Sequence, residues 1–135
     1  MIAVRGVDGR LLVFERGDVP NQWQLPQGGI DRDETPLDAA WRELGEETGL
    51  GPDDVRAVAE YPHWVLYEYP TELKLLKGRL GQAHKWFLFD ALRADIIPTP
   101  DDREFVAWQW ATREWLIDNV VEFRRPGYAT VLASL

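Results

Sequence analysis

The chain has 135 residues, about one domain's worth, and its 45% hydrophobic and 28% charged content is ordinary for a folded globular protein, which excludes disordered and collagen-like classes. With 23 acidic against 15 basic residues the net charge is -8, so broad coating of nucleic acid or of anionic membranes is disfavoured, and a polyanionic ligand must meet a local positive patch or a metal ion. The absence of cysteine excludes disulfides, thiolate zinc sites and cysteine nucleophiles, and together with the lack of a run near the ~20 apolar residues of a membrane span or of a signal-peptide core it gives the expectation of a cytoplasmic chain without a membrane or an obligate protein partner.

In chain order, Ile2 to Gly6 and Leu11 to Glu15 read as strands joined by a tight turn at Asp8-Gly9. The run from Asn21 to Glu34, with Pro26, Gly28 and Gly29 among polar residues, reads as a loop in which the backbone can be approached closely. A helix is expected over Pro36 to Thr48, with Thr35 as N-cap, Pro36 in the first turn, Asp38 completing a box-like pair and Gly49 at the left-handed C-terminal position. Leu37, Ala40, Trp41 and Leu44 share one arc of it and are expected to pack on the sheet. Further strands are expected over Val55 to Tyr61, His63 to Tyr69, Lys85 to Leu92 and Phe105 to Trp110, with Trp86 to Phe89 reading as a buried central strand. A second helix is expected from Thr112 to about Val120 and a third after Pro126. No repeat or linker interrupts this order, so the expectation is one α/β domain over residues 1 to 135 with a mixed sheet.

Beside the apolar arc of the first helix stand Glu43, Glu46 and Glu47. Spacings of three and four residues bring them within about one turn, and like charges so placed repel by a few tenths of a kcal/mol per pair. Arg42 reaches Glu46 at i+4, but one guanidinium does not neutralise three carboxylates. A hard divalent cation does, and it also accepts phosphate oxygens. A solvated acidic face is the plain alternative; the glycine-bearing loop directly before the helix speaks for phosphate plus metal. Gly28, Glu34 six positions on, and Arg42-Glu43-Leu44-Gly45-Glu46-Glu47-Thr48-Gly49-Leu50 match the Nudix box over residues 28 to 50 at every defined position. The chain thus resembles the Nudix hydrolases. That resemblance implies an α/β/α sandwich, Mg²⁺ or Mn²⁺ as cofactor, and hydrolysis of a nucleoside diphosphate linked to another group.

By the same resemblance, Glu43, Glu46 and Glu47 would ligate metal with a backbone carbonyl near Gly28, Glu43 would act as general base, Arg42 would orient the glutamates and Glu34 would support loop and helix. Glu104, just before the strand EFVAWQW, matches a segment in which RNA pyrophosphohydrolases carry a metal-binding glutamate. A divalent metal answers the resistance of a phosphoanhydride by screening its charge and acidifying a water.

Four more blocks, NQWQLPQGGID, HWVLYEYP, LGQAHKWFLF and VVEFRRPGY, resemble segments of the bacterial RNA pyrophosphohydrolases and the asymmetric diadenosine tetraphosphate hydrolases. Residues 71 to 85 carry Lys74, Lys77, Arg79 and Lys85 against Glu72, so positive charge gathers where a phosphate would need it. Lys85 is the first candidate phosphate contact and Arg16 a weaker one, with Gln27 as a further substrate contact. Tyr67 and Phe123 are candidates to stack on a base, and Trp64 stands between ligand contact and packing. Trp41, Trp86, Trp108 and Trp110 read as core, and His63 and His84 as surface or strand-end residues. The chain starts at Met1-Ile2-Ala3-Val4, without the Tyr-Arg-x-Asn arm common before the first strand of RNA pyrophosphohydrolases, and it lacks their basic C-terminal tail. With the net charge, this tilts the expected substrate toward a dinucleoside polyphosphate, with an RNA 5′ end as the alternative. A non-catalytic nucleotide-binding module is the alternative of another class, and the retained box glutamates speak against it.

Overall fold

A computed structural model describes all residues, 1 to 135. Its elements in chain order are β1 (Ile2–Arg5), β2 (Leu11–Arg16), β3 (Trp23–Gln24), α1 (Pro36–Thr48), β4 (Val55–Glu60), β5 (Val65–Glu68), α2 (Thr71–Lys77), β6 (Gly81–His84), β7 (Phe87–Ala91), β8 (Phe105–Ala111), α3 (Arg113–Asn119), a 3₁₀ turn (Glu122–Arg124) and α4 (Arg125–Leu132).

Alternation of side chains along the first strands explains why the sheet is covered on both faces. Ala3, Leu11, Val13 and Leu88 point to one side, where they meet α3, α4 and Tyr67 of β5. Ile2, Val4, Leu12, Phe14, Phe87 and Phe89 point to the other, against Ala40 and Leu44 of α1. The result is the expected α/β/α sandwich. The sheet runs β3-β2-β1-β7-β4, with β1 parallel to β7 and β8 antiparallel along β2. β7 is central, as its apolar run suggests, lying between β1 and β4. Trp86 is fully buried, and Trp41, Trp108 and Trp110 are part-buried against the α1-side core.

The first helix has the expected bounds. The Thr35 hydroxyl accepts from the Asp38 N–H at 3.1 Å, and Gly49 (φ 72°) closes the C-terminus with its N–H on the Gly45 carbonyl. Thr112 caps α3 in the same way, accepting from the Trp115 N–H. Leu37 departs from expectation. It is 38% exposed, because the sheet meets the helix along Ala40 and Leu44 and stops short of its first turn.

Two expected strands are cut shorter. The stretch from Lys85 to Leu92 forms a strand only over Phe87–Ala91, which joins the main sheet, while the residues before it, Gly81–His84, pair with β5 in a separate two-stranded sheet, and Trp86 lies between the two. The stretch from His63 to Tyr69 forms a strand only over Val65–Glu68, the residues with partners on β6. Helix α2, strand β6 and the two-residue strand β3 were not foreseen. No helix is long and apolar enough to cross a membrane.

These differences have a stability signature. Leu44→Ala, at a fully buried contact of α1 with the sheet, is expected to cost about 2–5 kcal/mol in urea unfolding, whereas Leu37→Ala stays within about 0.5 kcal/mol of the parent.

Candidate functional site

The loop over residues 24 to 29 is held from three sides before it reaches α1. The Pro26 carbonyl accepts from the Ile2 N–H at 3.0 Å, the fully buried Tyr128 hydroxyl accepts from the Leu25 N–H at 3.1 Å, and the Gln27 N–H donates to the Glu47 carboxylate at 3.1 Å. Gly28 follows at a point where no side chain fits: a Cβ there would lie 1.9 Å from the Glu43 carboxyl carbon. The glycine loop and the acidic face of α1 are therefore in direct contact, as their sequence order suggests.

Arg42 organises the remaining acids. Its guanidinium donates to Glu34 at 2.8 and 2.9 Å, to Glu43 at 2.8 Å, to Glu46 at 3.3 Å and to the Gly29 carbonyl at 2.8 Å. The hydrogen bonds from Arg42 and from the Asp31 N–H hold the Glu34 carboxyl down at about 2, and Glu34 in turn lifts the Arg42 guanidinium further above its usual range.

The three box glutamates are not equivalent. Glu46 keeps a solvent-exposed side chain, whereas Glu47 is only 5% exposed and its carboxylate accepts from the Gln27 N–H alone. Burial pushes the Glu47 carboxyl up, and the charges of Glu104, Glu43 and Asp101 push it further, to about 9. Glu43 is also raised, chiefly by burial and against the pull of Arg42. Glu104 sits in the loop after Asp101, close enough to add its field to both.

This donor set fits a hard divalent cation by chemistry, being carboxylate oxygens that repel one another in a partly dry setting beside the buried, unpartnered Gln27 Oε1. As placed, the acids do not converge into a three-oxygen cage, because Arg42 draws Glu43 and Glu46 toward itself.

Around these residues runs a cleft of three connected chambers. One of about 290 Å³ is lined only by polar side chains, among them Arg16, Gln24, Gln27, Glu104 and Arg124. A second of about 500 Å³ lies between the glycine loop and strand β6, where Gln27, Gly28 and Glu104 face Arg79, Gln82 and His84. A third of about 360 Å³ has a half-apolar wall that includes Tyr69, Leu76 and Phe123 beside Arg16 and Arg124. Burial lowers His84 to about 3, so it is neutral near pH 7.

Gly28, Gln27, Glu104, Arg16 and Phe123 thus line chambers that share walls, and the Glu43 and Glu47 carboxylates lie against the glycine loop, at Gly28 and the Gln27 N–H. Three candidates lie elsewhere. Tyr67 is 4% exposed and belongs to the core, because inward-facing β5 positions pack on α4 so closely that a Cβ at Gly127 would lie 2.7 Å from its ring. Lys85 pairs with Glu60 at 3.0 Å and lies 5.6 Å from the Trp64 ring centre, so charge pairing takes it out of the chambers described. Trp64, half exposed, partners that lysine outside the same chambers. Conversely, Gln24, Gln82, Arg79, Arg103 and Arg124 line the cleft without having been singled out. Four of them lay within stretches the sequence marks, Arg79 in the basic stretch 71 to 85, Gln24 in NQWQLPQGGID, Gln82 in LGQAHKWFLF and Arg124 in VVEFRRPGY; Arg103 carried no such signal.

Two outcomes follow from this geometry. Gly28→Ala is expected to leave the fold cooperative while displacing the Glu43 carboxylate, lowering turnover at least tenfold, as read by steady-state kinetics beside circular dichroism. Because the folded-state value of Glu47 is raised, its contribution to stability is full below the ordinary carboxylate value of 4.5 and is lost as pH climbs toward about 9. Metal-free Glu47→Gln is therefore expected to melt a few degrees above the parent at pH 8–9, with the gap closing near pH 4, in scanning calorimetry across pH.

A model of the NUDIX domain matches residues 1 to 131. The chain is 44% identical over 115 residues to the RNA pyrophosphohydrolase of Roseobacter denitrificans, covering 82% of this chain and 72% of that protein. It is 37% identical over 139 residues to Nudix hydrolase 25 of Arabidopsis thaliana, covering 94% and 78%. Among solved structures, the E. coli dihydroneopterin triphosphate pyrophosphohydrolase superposes with a TM-score of 0.80 at 20% identity, over 100% of this chain and 94% of that one. An Ap4A hydrolase from C. elegans superposes at 0.68 with 18% identity, over 99% and 97%, and both likenesses speak to the fold. With Gly28 packed against Glu43, Arg42 joining Glu34, Glu43 and Glu46, and the domain match running almost end to end, the chain belongs to the Nudix hydrolase family.

Proposed function

We propose that the protein is a divalent-metal-dependent pyrophosphohydrolase that cleaves a phosphoanhydride in the polyphosphate chain of a nucleotide, with dinucleoside polyphosphates such as diadenosine tetraphosphate as the first substrate class. The observation that carries this reading is that Glu104, whose charge reaches Glu47 and Glu43, shares one chamber with Arg16 and Arg124 and with Gln27, which donates to Glu47, so acids for a cation stand beside cations for phosphate. Nudix hydrolases generally use divalent ions; Mg²⁺ is proposed here, with Mn²⁺ as substitute. Glu43, Glu46, Glu47 and Glu104 would hold it, with the Gly28 carbonyl. When bound, such an ion screens phosphate oxygens and makes water more acidic.

The protein's own groups do the rest. Glu43 takes the proton of the attacking water, whose oxygen bonds to one phosphorus while the bridging oxygen leaves with the neighbouring phosphate. Arg42 is a positioning residue, fixing Glu43 and Glu46 through its hydrogen bonds. Arg16 and Arg124 bind flanking phosphates, Gln27 contacts the chain, and Phe123 offers a base a stacking surface worth about 1–3 kcal/mol.

The small-nucleotide reading is favoured by charge. Of the basic residues in 71 to 85, Lys74 pairs with Glu68 and Lys85 with Glu60, which leaves no continuous basic track for a polynucleotide on a protein of net charge -8. An RNA 5′ end is the second reading, favoured by similarity at 41% to 44% identity to proteins named RNA pyrophosphohydrolase.

Incubation with Mg²⁺ and diadenosine tetraphosphate is expected to give ATP and AMP by anion-exchange chromatography, and Glu47→Gln is expected to lower that rate at least 100-fold with the fold intact. Release of pyrophosphate or successive phosphate from 5′-triphosphorylated RNA, with diadenosine tetraphosphate untouched, would establish the second reading. Nucleotide binding without metal-dependent products would overturn both.

A further inference from the structure

The polar chamber contains an arginine that the box chemistry leaves unused. Three arginines, Arg16, Arg103 and Arg124, line it. Arg16 is matched, donating to both carboxylate oxygens of Asp18 at 2.9 and 2.7 Å. Arg124 is 5% exposed, donates to the neutral Gln24 Oε1 at 3.1 Å, and leaves its buried Nε without a partner. Arg103 forms no ion pair, and no acceptor takes a hydrogen bond from its guanidinium. Two arginines without carboxylates, one of them buried, are a configuration that a polyanion satisfies.

The backbone that carries Arg103 is fixed. One oxygen of Asp101 accepts from the N–H groups of Arg103, Glu104 and Phe105 at 3.1, 3.0 and 3.2 Å, and Asp102 takes a left-handed conformation (φ 61°) to allow it. The Gly17 N–H donates to the Glu104 carbonyl at 2.9 Å, and a Cβ at Gly17 would lie 2.4 Å from the Arg103 carbonyl oxygen. This loop therefore presents Arg103 and the adjacent Glu104 from one rigid seat. Arg103, an exposed residue, lines the polar chamber, and Glu104 lines both that chamber and the next one, beside the glycine loop.

We propose that Arg103 is a specificity-determining residue that, with Arg124, binds a phosphate lying outside the scissile anhydride. The enzyme then selects polyphosphate chains of three or more phosphates over two. A planar guanidinium holds a phosphate through two parallel hydrogen bonds, and seating the distal phosphate in the polar chamber sets the next ones over the acids. This inference rests on the reading of the cleft as a polyphosphate site.

The test is equilibrium binding of inorganic tripolyphosphate and of pyrophosphate, by calorimetry at low ionic strength with EDTA present. The parent is expected to bind tripolyphosphate at least tenfold more tightly than pyrophosphate. Arg103→Ala is expected to lose that preference, Arg103→Lys to keep part of it, and Arg93→Ala, at a surface site paired with Asp54 and Asp95, to keep all of it with unchanged circular dichroism. A preference that survives in Arg103→Ala, or is missing from the parent, overturns the proposal. Turnover of diadenosine tetraphosphate with no such preference would refute this inference alone. An Arg103-dependent preference without hydrolysis would refute the hydrolase reading alone.

Discussion

A carboxylate that is only 5% exposed, hydrogen-bonded to a single backbone N–H and surrounded by other acids is costly to keep ionised, and Glu47 is in that position. The fold holds it there through contacts that have no other evident purpose. Tyr128 and Ile2 fix the loop on either side of Pro26, and Gly28 gives up its side chain so that Glu43 can lie against the loop. Arg42 neutralises the outer acids and leaves the inner one alone. Stability is thus conceded at one spot, and a divalent cation is the simplest agent that recovers it.

The cleft extends this division of charge. Glu104 and the glycine loop that covers the α1 acids line one part of it, arginines form its polar end, and aromatic and aliphatic side chains near Phe123 form a third wall. On the proposed reading, these walls match the parts of a nucleotide polyphosphate side by side: metal-bound phosphates, a free phosphate and a base. Much of the remaining positive charge is paired, as at Lys74, Lys85 and Arg93, whereas Arg103 and Arg124 in the cleft have no carboxylate partner.

Local signals in the sequence carried much of this. Helix α1 was legible because its cap, first-turn proline and terminal glycine are independent cues that agree, and the acids on it follow from helical periodicity. Strands β1, β2 and β7 were legible because both of their faces are apolar. What depends on tertiary pairing was not. Nothing local says that Lys85 will find Glu60, that Tyr67 will turn inward onto α4, or that the chain will change sheets at Trp86. Helix α2 was hidden because it is short and, despite its leucines, buries none of its residues in the core. Arg103 was hidden because an isolated arginine in an acidic loop looks like surface until the loop is seen clamped at Asp101 and Gly17.

The most direct test of the central claim is Mn²⁺ binding followed by electron paramagnetic resonance in the absence of nucleotide. The account predicts that the parent sequesters Mn²⁺ and that Glu47→Gln weakens the site at least tenfold, while substituting the exposed, paired Asp8 changes nothing. Equal Mn²⁺ affinity in the parent and Glu47→Gln would contradict it, since the buried acid would then be no part of any cation site.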